Sequence, residues 1–216
     1  MILDPILPKL LSVQRIPGAD PALLRAYGAD PERHRALGLV TCDQDDPTYV
    51  ALDEATKHAD VDVVFAKSFY AGSGHASGRL SGEILGVIAS ADPEEVDRGL
   101  QVIARCLEHD ACFYSADDRG TITMFPHVIG SVGRYLAAQA GIPVGSSMAY
   151  LVAPPIEATV GLDAALKSAD VRALRVFTPP TETNFAASWL GGSLGDCKAA
   201  AEAFARAVIG VGQKPR

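Results

Sequence analysis

Apolar and polar positions along this chain follow two periods, and each change of period marks an element. Leu52, Ala55, Thr56 and Ala59 recur at i, i+3, i+4 and i+7, the spacing of one helix face. Leu162, Ala165, Leu166 and Ala169 repeat that spacing 110 residues later. The stretches that hold them, LDEATKHADV (52–61) and LDAALKSADV (162–171), are identical at seven of ten positions. Small alanines on the apolar stripe predict a helix lying close against a sheet. Opposite the stripe, Asp53 with Lys57 and Asp163 with Lys167 read as exposed i,i+4 acid–base pairs, worth about 0.2–0.5 kcal/mol each. After each helix the period shortens to that of a strand, in VDVVFAKSF (61–69) and VRALRVFTP (171–179).

The likeness extends to both sides. LGLVTCD (37–43) and SMAYLVA (147–153) predict a strand before each helix, and SGEILGVIAS (81–90) and FAASWLGGS (185–193) predict a later one. A closing helix follows each. Over 92–108, Asp92 reads as N-cap, Pro93 as the first helical residue and Glu95 as the return partner of a capping box. The second closing helix should run from Asp196 to about Val208, with Ser193 and Asp196 as its start signal. Ahead of the first unit lie KLLSVQRI (9–16), a short helix PALLRAYG (21–28) and the turn ADPERH (29–34). Ahead of the second lie ACFYSADD (111–118), a strand TITMFPHVI (121–129) and a helix SVGRYLAAQAG (131–141). The fold class is therefore α+β, with two tandem units at 1–110 and 111–216 and no linker-like composition between them.

Composition narrows the function. A net charge of −7 and a pI near 5.2 argue against a nucleic-acid partner, which would call for a basic patch. No apolar run is long enough to span a bilayer, and MILDPILPKLL has no basic n-region, so it does not read as a secretory signal. Cys42, Cys106, Cys112 and Cys197 have no CxxC spacing and no clustered histidines, which predicts buried thiols in a reducing cytosol rather than zinc ligands or disulfides. No cofactor is expected: GSGHASG is not a dinucleotide fingerprint, and no GK[ST] follows it.

The two units differ at two places. CDQDDP (42–47) stands where the second unit has VAPPIE (152–157). Asp46, just before Pro47, reads as a helix N-cap. Asp45 and Glu83 are left without a structural reason. Taken with Asp46 they would suit an acid–base or metal group, but no nucleophile–histidine pair or metal-ligand motif accompanies them, so no catalytic residue and no metal are assigned. A ligand-sensing α+β domain would carry the same acidic pocket. The loops also differ. AKSFYAGSGHASGRLSG (66–82) is rich in glycine, whereas RVFTPPTETNFAA (175–187) is stiffened by Pro179 and Pro180. Clustered glycine permits large φ/ψ changes, and a lone His75 has no paired ligand.

The pattern D-x-A-x-K-x-A-D-V followed by a strand resembles the helix of bacterial microcompartment (BMC) shell domains, which form flat hexagonal tiles. Residues 37–72, 149–171 and 179–193 resemble the tandem, circularly permuted members of ethanolamine-utilisation shells, and the likeness covers nearly the whole chain. The resemblance implies two BMC domains, each a small mostly antiparallel sheet flanked by helices. It implies a homotrimer that acts as a pseudohexameric tile in a microcompartment shell within the cytoplasm, with no enzymatic activity. Lys57 and Lys167 would lie at tile edges against other shell proteins. The loops with Ser68, Tyr70, Gly72, Gly74, His75, Pro179, Pro180 and Phe185 would border and gate a central pore. Asp45, Asp46, Glu83, Phe113 and Thr183 would line a small pore that binds ethanolamine. There carboxylates would hold the ammonium, Phe113 would add a cation–π contact and Thr183 would meet the hydroxyl. A tandem shell protein of another pathway, such as propanediol utilisation, would look similar.

Overall fold

The computed structural model describes residues 1, 3–69 and 78–215. From the N-terminus the elements are β1 (Pro5–Ile6), β2 (Leu10–Ile16), α1 (Pro21–Ala26), β3 (Ala36–Cys42), α2 (Asp45–His58), β4 (Asp62–Ser68), β5 (Ile84–Ser90) and α3 (Pro93–His109). They continue as β6 (Phe113–Ser115), β7 (Thr123–Ile129), α4 (Arg134–Ala140), β8 (Ser147–Ala153), α5 (Pro155–Ser168), β9 (Arg172–Phe177), β10 (Ala186–Gly192) and α6 (Leu194–Gln213). Two units result. One gathers Leu7–Ala111 with Gly133–Leu136, and the other gathers Met1–Ile6, Cys112–Val132 and Ala137–Arg216.

The first unit is a four-stranded antiparallel sheet in the order β2-β3-β5-β4. Its central strands are apolar at nearly every position because both faces are covered. Leu24 and Ala29 pack with Leu37, Val87 and Ala89 on one face. On the other, Val96 and Leu100 of α3 lie over Gly38, and Leu52 of α2 lies over Gly86. The second unit repeats the order and adds a lateral pair, giving β1-β6-β7-β8-β10-β9. Its α5 and α6 bury Ala158, Ala165, Ala200 and Phe204 against Met124, Ala149, Leu151 and Leu190. Its other face carries a row of rings: Phe125, Tyr150, Trp189 and Phe177, each about edge-on to the next at 5.2–5.6 Å.

Several local expectations are corrected. Gln44, not Asp46, is the N-cap of α2, which begins at Asp45. The Asp46 amide donates to Asp45 Oδ1 at 2.9 Å. Asp92 does cap α3 through Glu94 N, at 2.9 Å, but no capping box closes. The Asp92 amide is taken by Ser90 Oγ, and Glu95 accepts from Asp60 N instead. Helix α4 starts at Arg134 rather than 131, because Val132 is held in a turn by Ser146 O and Gly145 N. Helix α6 starts two residues earlier than expected, from an N-cap at Ser193, and continues to Gln213. At its end Gly212 lies close to Ile122 and Ala116, so packing overrides the two late glycines. The strand β1 carried no sequence signal; it forms because Pro5 and Ile6 pair with Tyr114 and Phe113.

Candidate functional site

The acidic group of the first unit is assembled from two connections. Asp45 and Asp46 open α2, and Glu83, 38 residues after Asp45, is fixed just before β5 by its own backbone. Its amide donates to Cys42 O at 2.7 Å, and its carbonyl accepts from Phe69 N at 2.9 Å. Asp45 and Asp46 are buried. One turn along α2 from Asp45, Tyr49 reaches Ser68 at the end of β4, with Tyr49 Oη 2.8 Å from Ser68 Oγ. Ser68 N donates to Tyr49 Oη at 3.1 Å, and the Ser68 side chain also bonds Asp45. Each proton finds an acceptor if the phenol donates to Ser68 and Ser68 donates to Asp45.

The electrostatics follow from burial. Burial raises the Asp45 carboxyl above its ordinary value, opposed by the bonds from Ser68 and the Asp46 amide. Burial, and then the negative charges of Asp45 and Asp43, push Glu83 up to about 7. Asp43 itself is committed to structure, accepting from Lys9 N at 2.6 Å. The group thus concentrates negative charge where water is scarce, an arrangement that favours either a shared proton or a bound cation. Tyr49 was missed in the sequence, although its position four residues after Asp45 on a helix was a usable signal. Phe113 and Thr183 belong to the second unit. Phe113 is buried there, with its ring 5.2 Å from Phe125 and 6.1 Å from Phe185.

Of the loop residues, Ser68 is the last residue of β4 and is buried. Pro179 and Pro180 are exposed in the β9–β10 connection. That connection closes through Asn184 N to Thr181 O and Thr181 Oγ1 to Phe185 O. Tyr70, Gly72, Gly74 and His75 lie outside the described residues.

The two repeated helices differ more than their sequences suggest. Lys167 and Asp163 form the expected exposed pair at 2.7 Å. In α2, Lys57 pairs with Glu54, and Asp53, expected on the outer face, is buried. Its carboxylate accepts from Gly133 N at 2.6 Å and Leu136 N at 2.8 Å. Alongside, Thr56 Oγ1 accepts from Arg134 N, and Arg134 donates to the carbonyls of Thr56 and Val61. This latch was not legible in the sequence, because nothing local to α2 names its partner.

All four cysteines are buried thiols. Among the described residues no His, Cys, Asp and Glu side chains converge as a metal-holding group, and no helix is long and apolar enough to cross a membrane.

Comparison with known proteins agrees with this architecture. A model of the BMC domain matches residues 36–115. The bacterial microcompartment shell protein EutL of Clostridium perfringens is 48% identical over 212 residues, 98% of this chain and 97% of that protein. The EutL shell protein of Salmonella typhimurium is 43% identical over 213 residues, 99% of this chain and 97% of that one. The crystal structure of the ethanolamine utilization protein EutL from Leptotrichia buccalis superposes with a TM-score of 0.96 at 46% identity, covering 100% of this chain and 99% of that one. With such identity over nearly the full length of both partners, the chain belongs to the EutL family of bacterial microcompartment shell proteins.

Proposed function

We propose that three copies of this chain close into a pseudohexameric tile in the shell of an ethanolamine-utilising microcompartment. The observation that carries this reading is the duplication. The strand–helix–strand–strand–helix order occurs twice per chain, so three chains supply six near-equivalent sides. The repeats at 1–110 and 111–216 each present one lysine, Lys57 and Lys167, at a tile edge that meets other shell proteins. The unlike β4–β5 and β9–β10 connections border and gate the central pore.

Electron microscopy of the purified protein tests this assignment. Flat hexagonal sheets are expected from the wild type. Lys57→Glu with Lys167→Glu should abolish the sheets and leave trimers. Undisturbed sheets would remove the edge role, and a strictly monomeric wild type would remove the tile.

The acidic group of Asp45, Asp46 and Glu83 is the site for a small protonated amine, of which ethanolamine is the one the family points to. These carboxylates would hold an ammonium through charge-assisted hydrogen bonds. The pH sense is fixed by Glu83. Its carboxyl, at about 7, is mostly protonated at pH 6 and mostly ionised at pH 8, so affinity should rise with pH across that window, by roughly fivefold or more. Binding near pH 7 should release protons, because the ammonium favours the carboxylate form. Calorimetry with ethanolamine in two buffers of different ionisation heat reads both effects. Equal affinity at the two pH values, or an Asp45→Ala variant that binds as well as wild type, would count against the site.

A further inference from the structure

The stripe of α2 that carries the latch recurs on α5, where it is exposed. Asp46, Val50, Asp53 and Thr56 on α2 correspond to Ile156, Val160, Asp163 and Leu166 on α5, each 110 residues on. The first set is buried: Val50 is 4% exposed and Thr56 3%. The second set is open: Ile156 is 68% exposed, Val160 45% and Leu166 38%, and the Asp163 side chain faces solvent. Three large apolar side chains and an acid on one stripe of a helix make an unusual solvent face.

The repeat identifies what belongs there. Asp53 and Thr56 hold the backbone of Gly133–Leu136. That segment follows β7 and leads into α4. Its counterpart follows β2 and leads into α1. The register is fixed at both ends, since β2 and β7 end at Ile16 and Ile129 and the helices stop at Gly28 and Gly141, both with positive φ. Both pairs are 113 residues apart, so Asp20–Leu23 corresponds to Gly133–Leu136. Asp20, Pro21 and Ala22 are exposed.

We propose that the α5 face formed by Ile156, Val160, Asp163 and Leu166 receives the Asp20–Leu23 turn of a second copy of this chain. This rests on the trimer reading and names its seat. The contact is not an identical copy of the internal one. Leu166 replaces Thr56 and Asp20 replaces Gly133, so the fit is looser and more apolar, with Pro21, Ala22 and Leu23 against Val160 and Leu166. Asp20 brings a second acid to the contact, but its carboxylate is already turned to the Ala22 amide, at 2.8 Å.

Native mass spectrometry and cysteine cross-linking test the seat. Wild type should be trimeric. Val160→Glu places a charge in the apolar contact and should weaken trimerisation by roughly tenfold or more. The double variant Ala22→Cys with Asp163→Cys should give covalent dimers and trimers on oxidation, and each single variant should give none, since the native cysteines are buried. A trimeric wild type with an equally trimeric Val160→Glu and no cross-link would overturn this seat and leave the tile standing. A monomeric wild type would overturn both. Should Val160→Glu fail to fold, the cross-link alone decides.

Discussion

Asp53→Ala should lower the melting temperature by about 10 °C, the largest loss expected from any single carboxylate in this chain. The side chain accepts two buried backbone amides, from Gly133 and Leu136. Hydrogen bonds to a charged group contribute about 1.5–3 kcal/mol each. Alanine would leave both amides buried and unpaired. Burial raises the Asp53 carboxyl, against the pull of those amides and of Lys57, so part of the gain is spent on desolvation. A net loss of about 3–4 kcal/mol remains, and each kcal/mol is worth about 2–4 °C for a chain of this size. Asp53→Asn keeps one acceptor and should recover about half. Thermal unfolding gives the magnitude, and amide exchange gives the mechanism: protection should fall first at Gly133 and Leu136. A loss spread evenly over the sheet, with those two amides no faster than their neighbours, would refute the latch. Because Gly133 N approaches so closely, a Cβ there would meet Thr56 Oγ1 at 2.5 Å and Asp53 O at 2.6 Å. The latch therefore selects glycine at its far side as firmly as aspartate at its near side.

The second large effect is expected from Gly82→Ala, and it joins stability to the acidic site. Gly82 has φ +62, and a Cβ there would stand 2.0 Å from Cys42 O. The left-handed conformation alone costs an L-residue about 1–2 kcal/mol. The clash adds more, since the obstacle is the backbone of β3 rather than the end of a flexible side chain. A total above about 3 kcal/mol places this among the most disruptive single substitutions. Gly120→Ala is the control. It shares the positive φ, at +68, but its nearest neighbour is Ser115 Oγ at 4.0 Å, so it should cost only about 1–2 kcal/mol. Relief of the clash should move the Glu83 amide off Cys42 O, and with it the Glu83 carboxyl out of its buried position beside Asp45 and Asp43. The Glu83 titration, followed by NMR, should then fall from about 7 toward the ordinary carboxylate range, and the pH dependence of amine binding should flatten with it. A folded Gly82→Ala protein with Glu83 still titrating near 7 would show that the carboxylate is placed by something other than this turn.

The elements themselves were legible from the sequence because their causes are local. Strand β3 and strand β8 lie within a residue of the apolar runs that announce them, since burial on a sheet requires apolar side chains wherever it occurs. Asp92 and Ser193 cap their helices, since an N-cap acts over two or three residues. The duplication, and with it the family, is likewise written in the order of residues.

The sequence could not say which of two identical motif positions would be inside. Asp53 and Asp163 share neighbours, spacing and pattern, yet one is sealed against Gly133 and Leu136 and the other stands in solvent. That Glu83 would settle beside Asp45 came only through the family resemblance, not from any local pattern, and the pattern gave the wrong N-cap at Asp46. For Asp53 and Glu83 the deciding partner lies dozens of residues away. Periodicity and capping are set by neighbours along the chain, so the sequence alone determined the repeats, the sheets and their helices. Burial of a charge is set by what folds over it, so only the tertiary structure decided which acids were sealed inside and which stayed in solvent.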